Sequence, residues 1–67
     1  MVSLIDQVEE QVRRTTHDRI RGLRVEEVHG RVIIRGRAAT QHTRQLALEG
    51  ALGVLPGDRI RTEIAVG

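Results

Sequence analysis

The residues of this chain most suited to chemistry are its arginines, which supply all eleven of its basic side chains. Three of them, Arg31, Arg35 and Arg37, occupy alternate positions in the segment HGRVIIRGRAAT, residues 29 to 40. Successive side chains of an extended strand point to opposite faces, so these three guanidinium groups would share one face. The chemistry offered by such a face is attraction of anionic groups, either lipid headgroups or nucleic-acid phosphate.

The sequence contains no residue spacing that is typical of a catalytic or metal-binding site. The chain has no Cys, which excludes a disulfide, a thiolate zinc site and a Cys nucleophile. His17, His29 and His42 fall in a turn, a hairpin and a helix start, without the spacing of metal ligands. Asp18 follows His17, but Ser3 is the only Ser and is predicted to cap a helix, so no triad forms. We therefore expect no enzyme activity, no cofactor, no metal and no small-molecule substrate.

Length and composition indicate one small domain, spanning residues 1 to 67, with a weak core. A chain of 67 residues without Phe, Tyr or Trp must bury many small aliphatic side chains, which makes self-association a reasonable expectation. The net charge is only +2, so the position of charges matters more than their sum. Asp6, Glu9 and Glu10 interrupt the continuous apolar run that a secretory leader or a membrane span would need, so neither is predicted. We expect a cytoplasmic protein, or a periplasmic one if a leader was removed.

Two helices are predicted from caps and apolar spacing. Ser3 caps the first, which runs to about Thr15, and Thr40 caps the second, which runs to about Leu52 and stops at Gly53. The first helix carries the apolar stripe Leu4, Ile5, Val8 and Val12, with outward pairs Glu9–Arg13 and Glu10–Arg14. The second helix has a small-residue side, which would let it lie close to a sheet, formed by Thr43, Ala47, Gly50, Ala51 and Val54.

The second helix also carries a leucine stripe formed by Leu48, Leu52 and Leu55. This stripe widens the apolar surface beyond what one small sheet needs. Two interpretations remain open. The leucines either pack against the first helix within the monomer, or they form the contact of a homo-oligomer.

Three strands are predicted from alternation. The first begins at Leu23 and ends at His29–Gly30, where Gly30 suits the positive φ of a hairpin turn. The second runs from Arg31 to about Ala38, with Gly36 marking a close helix approach or a bulge. The third runs from Asp58 to Val66. The predicted inward positions are Leu23, Val25, Val32, Ile34, Gly36, Ala38, Ile60, Thr62, Ile64 and Val66.

From Leu23 onward, about two thirds of the chain resembles the BON domain family, named for bacterial osmotically induced and nodulation proteins. The matching residues are Gly30, Val32, Ile34 and Gly36 for G-x-V-x-L-x-G, Arg44 and Ala47 for R-x-x-A, and the later apolar positions Ala51, Val54, Ile60, Ile64 and Val66. The chain departs from the family at VLPGDRI, where relatives usually have G-V before the last strand.

The resemblance implies an α+β fold of order α-β-β-α-β, with two helices packed on one face of a three-stranded mixed sheet. It also implies a non-enzymatic module that attaches proteins to phospholipid or to other envelope components. Many relatives carry a leader peptide and occur as tandem repeats or beside other domains.

The opposite face of such a sheet would collect the arginines. The predicted members are Arg24, Arg31, Arg35, Arg37, Arg59 and Arg61, against Glu26 and Glu63. Val28 and Ile33 also point outward, as an apolar spot that a lipid or a dimer could cover. Ordinary solvation of a charged strand face explains the same pattern.

From this pattern we predict a binding module whose anion or lipid site is formed by Arg24, Arg35, Arg37, Arg59 and Arg61. The alternative is a structural homo-oligomerisation module that binds neither lipid nor nucleic acid, with Leu48, Leu52 and Leu55 as its contact. Nucleic acid is not an expected partner, because the chain has neither a G-x-x-G loop between helices nor aromatic residues for base stacking.

Overall fold

The computed structural model describes residues 3–67 and has the predicted α-β-β-α-β order. It is a small α+β domain with two helices and a three-stranded mixed sheet. The elements are α1 (Leu4–Thr16), β1 (Arg21–Val28), β2 (Arg31–Ala38), α2 (Gln41–Leu52), a short 3-10 turn (Gly57–Arg59) and β3 (Ile60–Val66).

The sheet has the strand order β1-β2-β3, with β2 in the centre. β1 and β2 are antiparallel and joined by a two-residue hairpin turn in which His29 and Gly30 both have positive φ, 51° and 80°. This backbone matches the right-handed twist of the two strands, and it confirms the predicted role of Gly30. α2 and the 3-10 turn connect β2 to β3, and β3 runs parallel to β2.

Both helices begin at the predicted caps. The Ser3 hydroxyl accepts a hydrogen bond from the Asp6 amide at 3.1 Å, and the Thr40 hydroxyl accepts one from the Thr43 amide at 3.1 Å. The outward ion pairs of α1 also form, with Arg13 2.8 Å from Glu9 and Arg14 3.0 Å from Glu10. Local signals therefore define both helix starts.

The core lies between the two helices and one face of the sheet. α1 packs on β1 and α2, while α2 packs on β2 and β3. The buried aliphatic residues are Val8, Val12, Ile20, Val32, Ile34, Ala38, Ala47, Ala51, Leu55 and Ile64. The predicted inward residues Val32, Ile34 and Ala38 are confirmed, whereas Leu4 and Val66, at the ends of their elements, are exposed.

Gly50 is a point of close approach between the two helices. A Cβ on this residue would lie 2.5 Å from Thr15 Oγ1 and 2.8 Å from the Gln11 carbonyl oxygen. Beside it, the Thr15 hydroxyl donates a hydrogen bond to the Leu46 carbonyl at 2.7 Å. The small-residue side of α2 does allow close packing, but at Gly50 the neighbour is α1 and not the sheet.

A bulge shifts the start of β1. The strand begins at Arg21, two residues before the predicted start, and its register against β2 shifts between Arg21 and Arg24. Gly22 has a φ of 61° inside this irregularity. A Cβ on Gly36, opposite the bulge, would lie 2.5 Å from Ile20 Cγ2 and 3.1 Å from the Arg21 carbonyl oxygen. Gly36 therefore accommodates the bulge, which is one of the two alternatives predicted for it.

Candidate functional site: the outer face of the sheet

The outer face is the sheet surface that neither helix covers. Because paired residues on neighbouring strands point to the same side, the register defines its members. They are Arg21, Arg24, Glu26 and Val28 of β1; Arg31, Ile33, Arg35 and Arg37 of β2; and Arg61, Glu63 and Ala65 of β3. Six arginines and two glutamates therefore share this surface.

The two glutamates of the outer face are both next to Arg35. Arg35 Nε lies 3.1 Å from Glu63 and its Nη1 lies 3.7 Å from Glu26. Glu63 also contacts Arg61 Nε at 3.1 Å, so it bridges two arginines. Exposed ion pairs of this kind contribute between about 0 and 1 kcal/mol to stability. Their main effect here is to neutralise the middle of the face.

Four arginines of the outer face are exposed and form no ion pair with any other residue in the range 3–67. They are Arg21, Arg24, Arg31 and Arg37. Their guanidinium groups are the ones available to an external anion. Arg31 lies at the hairpin end of the sheet and Arg21 and Arg37 lie at the opposite end, whereas Arg24 is paired in register with Arg35 in the middle.

A shallow depression of about 440 Å³ lies at the hairpin end of the outer face. Val28 and Ile33 form its apolar part, and His29, Arg31 and Arg61 complete its lining. The Val28 side chain is 39% exposed. The outward position predicted for Val28 and Ile33 is therefore correct, and guanidinium-bearing residues adjoin this apolar spot.

A second depression, of about 230 Å³, lies at the opposite end of the sheet. Arg19, Arg21 and Arg37 all line it. The sequence prediction missed Arg21, because uninterrupted alternation would have given it the same side as Leu23. The bulge between Arg21 and Arg24 instead places Arg21 opposite Arg37 on the outer face. The only sequence signal for this was Gly22.

Most of the predicted anion-binding residues lie together. Arg24, Arg35, Arg37 and Arg61 are on the outer face, whereas the prediction that Arg59 is a strand residue was wrong. Arg59 ends the 3-10 turn that PGDR forms before β3, and its Nη2 donates a hydrogen bond to the Gly30 carbonyl at 3.3 Å. This guanidinium group therefore lies beside the hairpin and partly uses its hydrogen-bonding capacity there.

The predicted leucine contact is divided between the surface and the core. Leu48 is half-buried and Leu52 is 45% exposed, but Leu55 is only 8% exposed and belongs to the core. After α2 the chain turns, with the Leu55 amide bonded to the Ala51 carbonyl, and this turn carries Leu55 back over the interior. Including Leu55 in an oligomer contact was therefore wrong, because its side chain already packs within the monomer.

Residues 3–67 bring together no group of three His, Asp or Glu side chains that could hold a metal ion. His17 follows the end of α1, His29 lies in the hairpin turn and His42 is near the start of α2. In the same part of the chain, no helix is both long and apolar enough to cross a membrane.

Comparison with known proteins found no relative in which these features could be compared. No family model, no curated protein and no solved structure matches the chain. The resemblance to BON domains therefore stays a prediction.

Proposed function

We propose that this protein is a non-catalytic binding module that attaches to anionic phospholipid surfaces through the outer face of its sheet. The observation that carries the proposal is the combination of unpaired arginines with an apolar depression on one exposed surface. The resemblance to BON domains agrees with this class of partner.

Electrostatic attraction supplies the first part of the binding free energy. A basic residue near an anionic membrane surface contributes about 1 kcal/mol. Arg21, Arg24, Arg31 and Arg37 would together contribute about 4 kcal/mol if all four reached the headgroups at once. Attraction of this kind is screened within a Debye length, so binding should weaken strongly as salt is added.

The apolar depression favours a lipid surface over nucleic acid. Val28 and Ile33 would gain free energy by leaving water for the boundary between headgroups and acyl chains. A phosphate backbone offers no comparable partner for these side chains. Base stacking would need aromatic residues, which the chain lacks.

Co-sedimentation with vesicles tests the proposal. We expect the protein to sediment with vesicles that contain phosphatidylglycerol but not with vesicles of phosphatidylcholine alone. Replacing Arg24 and Arg37 with Gln should weaken binding roughly 30-fold, because about 2 kcal/mol of attraction is lost. Arg24 and Arg37 are chosen because neither forms an ion pair within residues 3–67. Arg35 is avoided because Arg35→Glu would place a third carboxylate beside Glu26 and Glu63.

The matched control replaces Arg14 and Arg44 with Gln. These residues lie on α1 and α2, are exposed, and their replacement removes the same net charge. The control should bind nearly as well as the wild type. Equal binding to both kinds of vesicle, or equal losses in the two double variants, would rule the proposal out.

A further inference from the structure

The free edge of β3 has no partner among residues 3–67. β3 is the last strand of the order β1-β2-β3, and its seven residues pair only with β2. An edge strand presents unpaired N–H and C=O groups, which another strand can complete. Natural edges are commonly protected by bulges, proline, charged side chains or a covering segment, and the charged residues of β3, Arg61 and Glu63, are opposite in sign. β3 contains no proline, and its register with β2 has no shift.

The other edge of the sheet is less suitable for strand addition. β1 is interrupted between Arg21 and Arg24 by the bulge, and Gly22 has a positive φ there. Such an irregularity twists an edge strand and disrupts further pairing. If a strand adds to this sheet, β3 is therefore the side that it joins.

From these features we infer that two copies of this chain associate edge to edge through antiparallel β3 strands, with Thr62 of each copy at the two-fold axis. The register follows from charge. With Thr62 opposite itself, Arg61 faces Glu63 of the second copy, and Glu63 faces Arg61. Moving the axis to Arg61 or Glu63 would place like charges directly opposite each other, which is unfavourable.

The inner side of the same edge also suits a second copy. With Thr62 on the axis, Ile60 of one copy faces Ile64 of the other. A depression of about 270 Å³ between α2 and β3 is lined by both Thr62 and Leu48, so the two Leu48 side chains would flank the axis. Leu52, one turn further along α2, is 45% exposed on the same flank. Two members of the predicted leucine contact thus lie beside this edge.

The symmetry of this dimer keeps the helices of both copies on the same side of the shared sheet. An antiparallel pair across a continuous sheet has its two-fold axis perpendicular to the sheet, so the two outer faces also point in one direction. The result is a six-stranded sheet with all of its outer-face arginines on one surface. This inference does not depend on what that surface binds.

A charge-swap experiment tests the pairing. Arg61→Glu places Glu opposite Glu63 twice in the dimer, and Glu63→Arg places Arg opposite Arg61 twice. Each variant alone should dimerise at least tenfold more weakly than the wild type. An equimolar mixture of the two should form a heterodimer, in which both facing pairs are again opposite in charge. Light scattering distinguishes the 7.5 kDa monomer from a particle of twice that mass.

The mixture separates pairing between copies from damage within one copy. Both variants lose the contact between Arg61 and Glu63 inside the monomer, and mixing cannot restore it. Recovery of dimer on mixing therefore supports the inference. A wild type that stays monomeric at millimolar concentration overturns it, as does a mixture that stays monomeric while circular dichroism shows both variants folded.

Disulfide trapping tests the register directly, because the chain has no natural Cys. Thr62→Cys should form a covalent dimer rapidly under mild oxidation, since the two thiols would face each other across the axis. Ala65→Cys on the same strand, and Glu27→Cys on β1, should cross-link much more slowly. Equal rates for the three variants would refute the register.

Discussion

The close packing of α2 against α1 can be tested by adding one methyl group at Gly50. In an exposed helix interior, Gly→Ala usually stabilises a protein by about 1 kcal/mol. Here the new Cβ would lie 2.5 Å from Thr15 Oγ1 and 2.8 Å from the Gln11 carbonyl oxygen, so α1 would have to move away. Such a shift also strains the hydrogen bond from Thr15 to Leu46.

We expect the steric cost to exceed the gain in helix propensity. Overpacking typically costs about 1 to 3 kcal/mol, and a strained hydrogen bond about 1 kcal/mol more. After subtracting the propensity gain, Gly50→Ala should lower the free energy of unfolding by about 1 to 3 kcal/mol. For a domain of this size, each kcal/mol lowers Tm by about 4 to 8 °C.

Gly53→Ala provides a matched control one turn further along. Gly53 has a φ of −71° and ψ of −13°, a conformation that Ala adopts without strain. A Cβ there would come no closer than 3.4 Å to another atom, the Gly50 carbonyl oxygen. This variant should raise stability by about 0.4 to 1 kcal/mol. Circular dichroism during thermal and urea unfolding measures the stability of both variants. A Gly50→Ala protein as stable as the Gly53→Ala protein would refute the packing between α1 and α2.

Two further predictions concern local backbone signals. Thr40→Ala removes the hydroxyl that accepts from the Thr43 amide, so it should cost about 1 kcal/mol in urea unfolding, whereas Thr40→Ser should cost much less; equal losses for both would contradict the capping role. His29→Asn should raise Tm slightly, since Asn tolerates the positive φ of 51° at this hairpin position better than most residues. A lower Tm would show that the His29 side chain makes a stabilising contact that outweighs its backbone strain.

Elements with strong local signals could be predicted from the sequence. The alternation from Arg31 to Ala38 and the cap at Thr40 depend on neighbouring residues, and the bounds of β2 and α2 agree with the structure. The hairpin turn at Gly30 has the same local origin. These signals were sufficient to define one Arg-rich face and one apolar face of the central strand.

Features that depend on contacts distant in sequence could not be predicted in this way. The bulge in β1 forms against Gly36 and reverses the side on which Arg21 lies, so Arg21 was missed. Leu55 fits the helical stripe by spacing, but the turn after α2 carries it into the core. Arg59 fits the alternation of β3, yet the 3-10 turn precedes the strand at this position.

The central claim is that the outer face, and not the helical layer, contacts anionic lipid. A single introduced Trp reports its own position because the chain has none. Val28→Trp places the reporter in the depression of the outer face, and Leu4→Trp places it on α1; the native side chains are 39% and 38% exposed. On adding vesicles with phosphatidylglycerol, the emission of the Val28→Trp variant alone should shift to shorter wavelength and become protected from acrylamide. A shift in the Leu4→Trp variant alone, or in neither variant, would contradict the account.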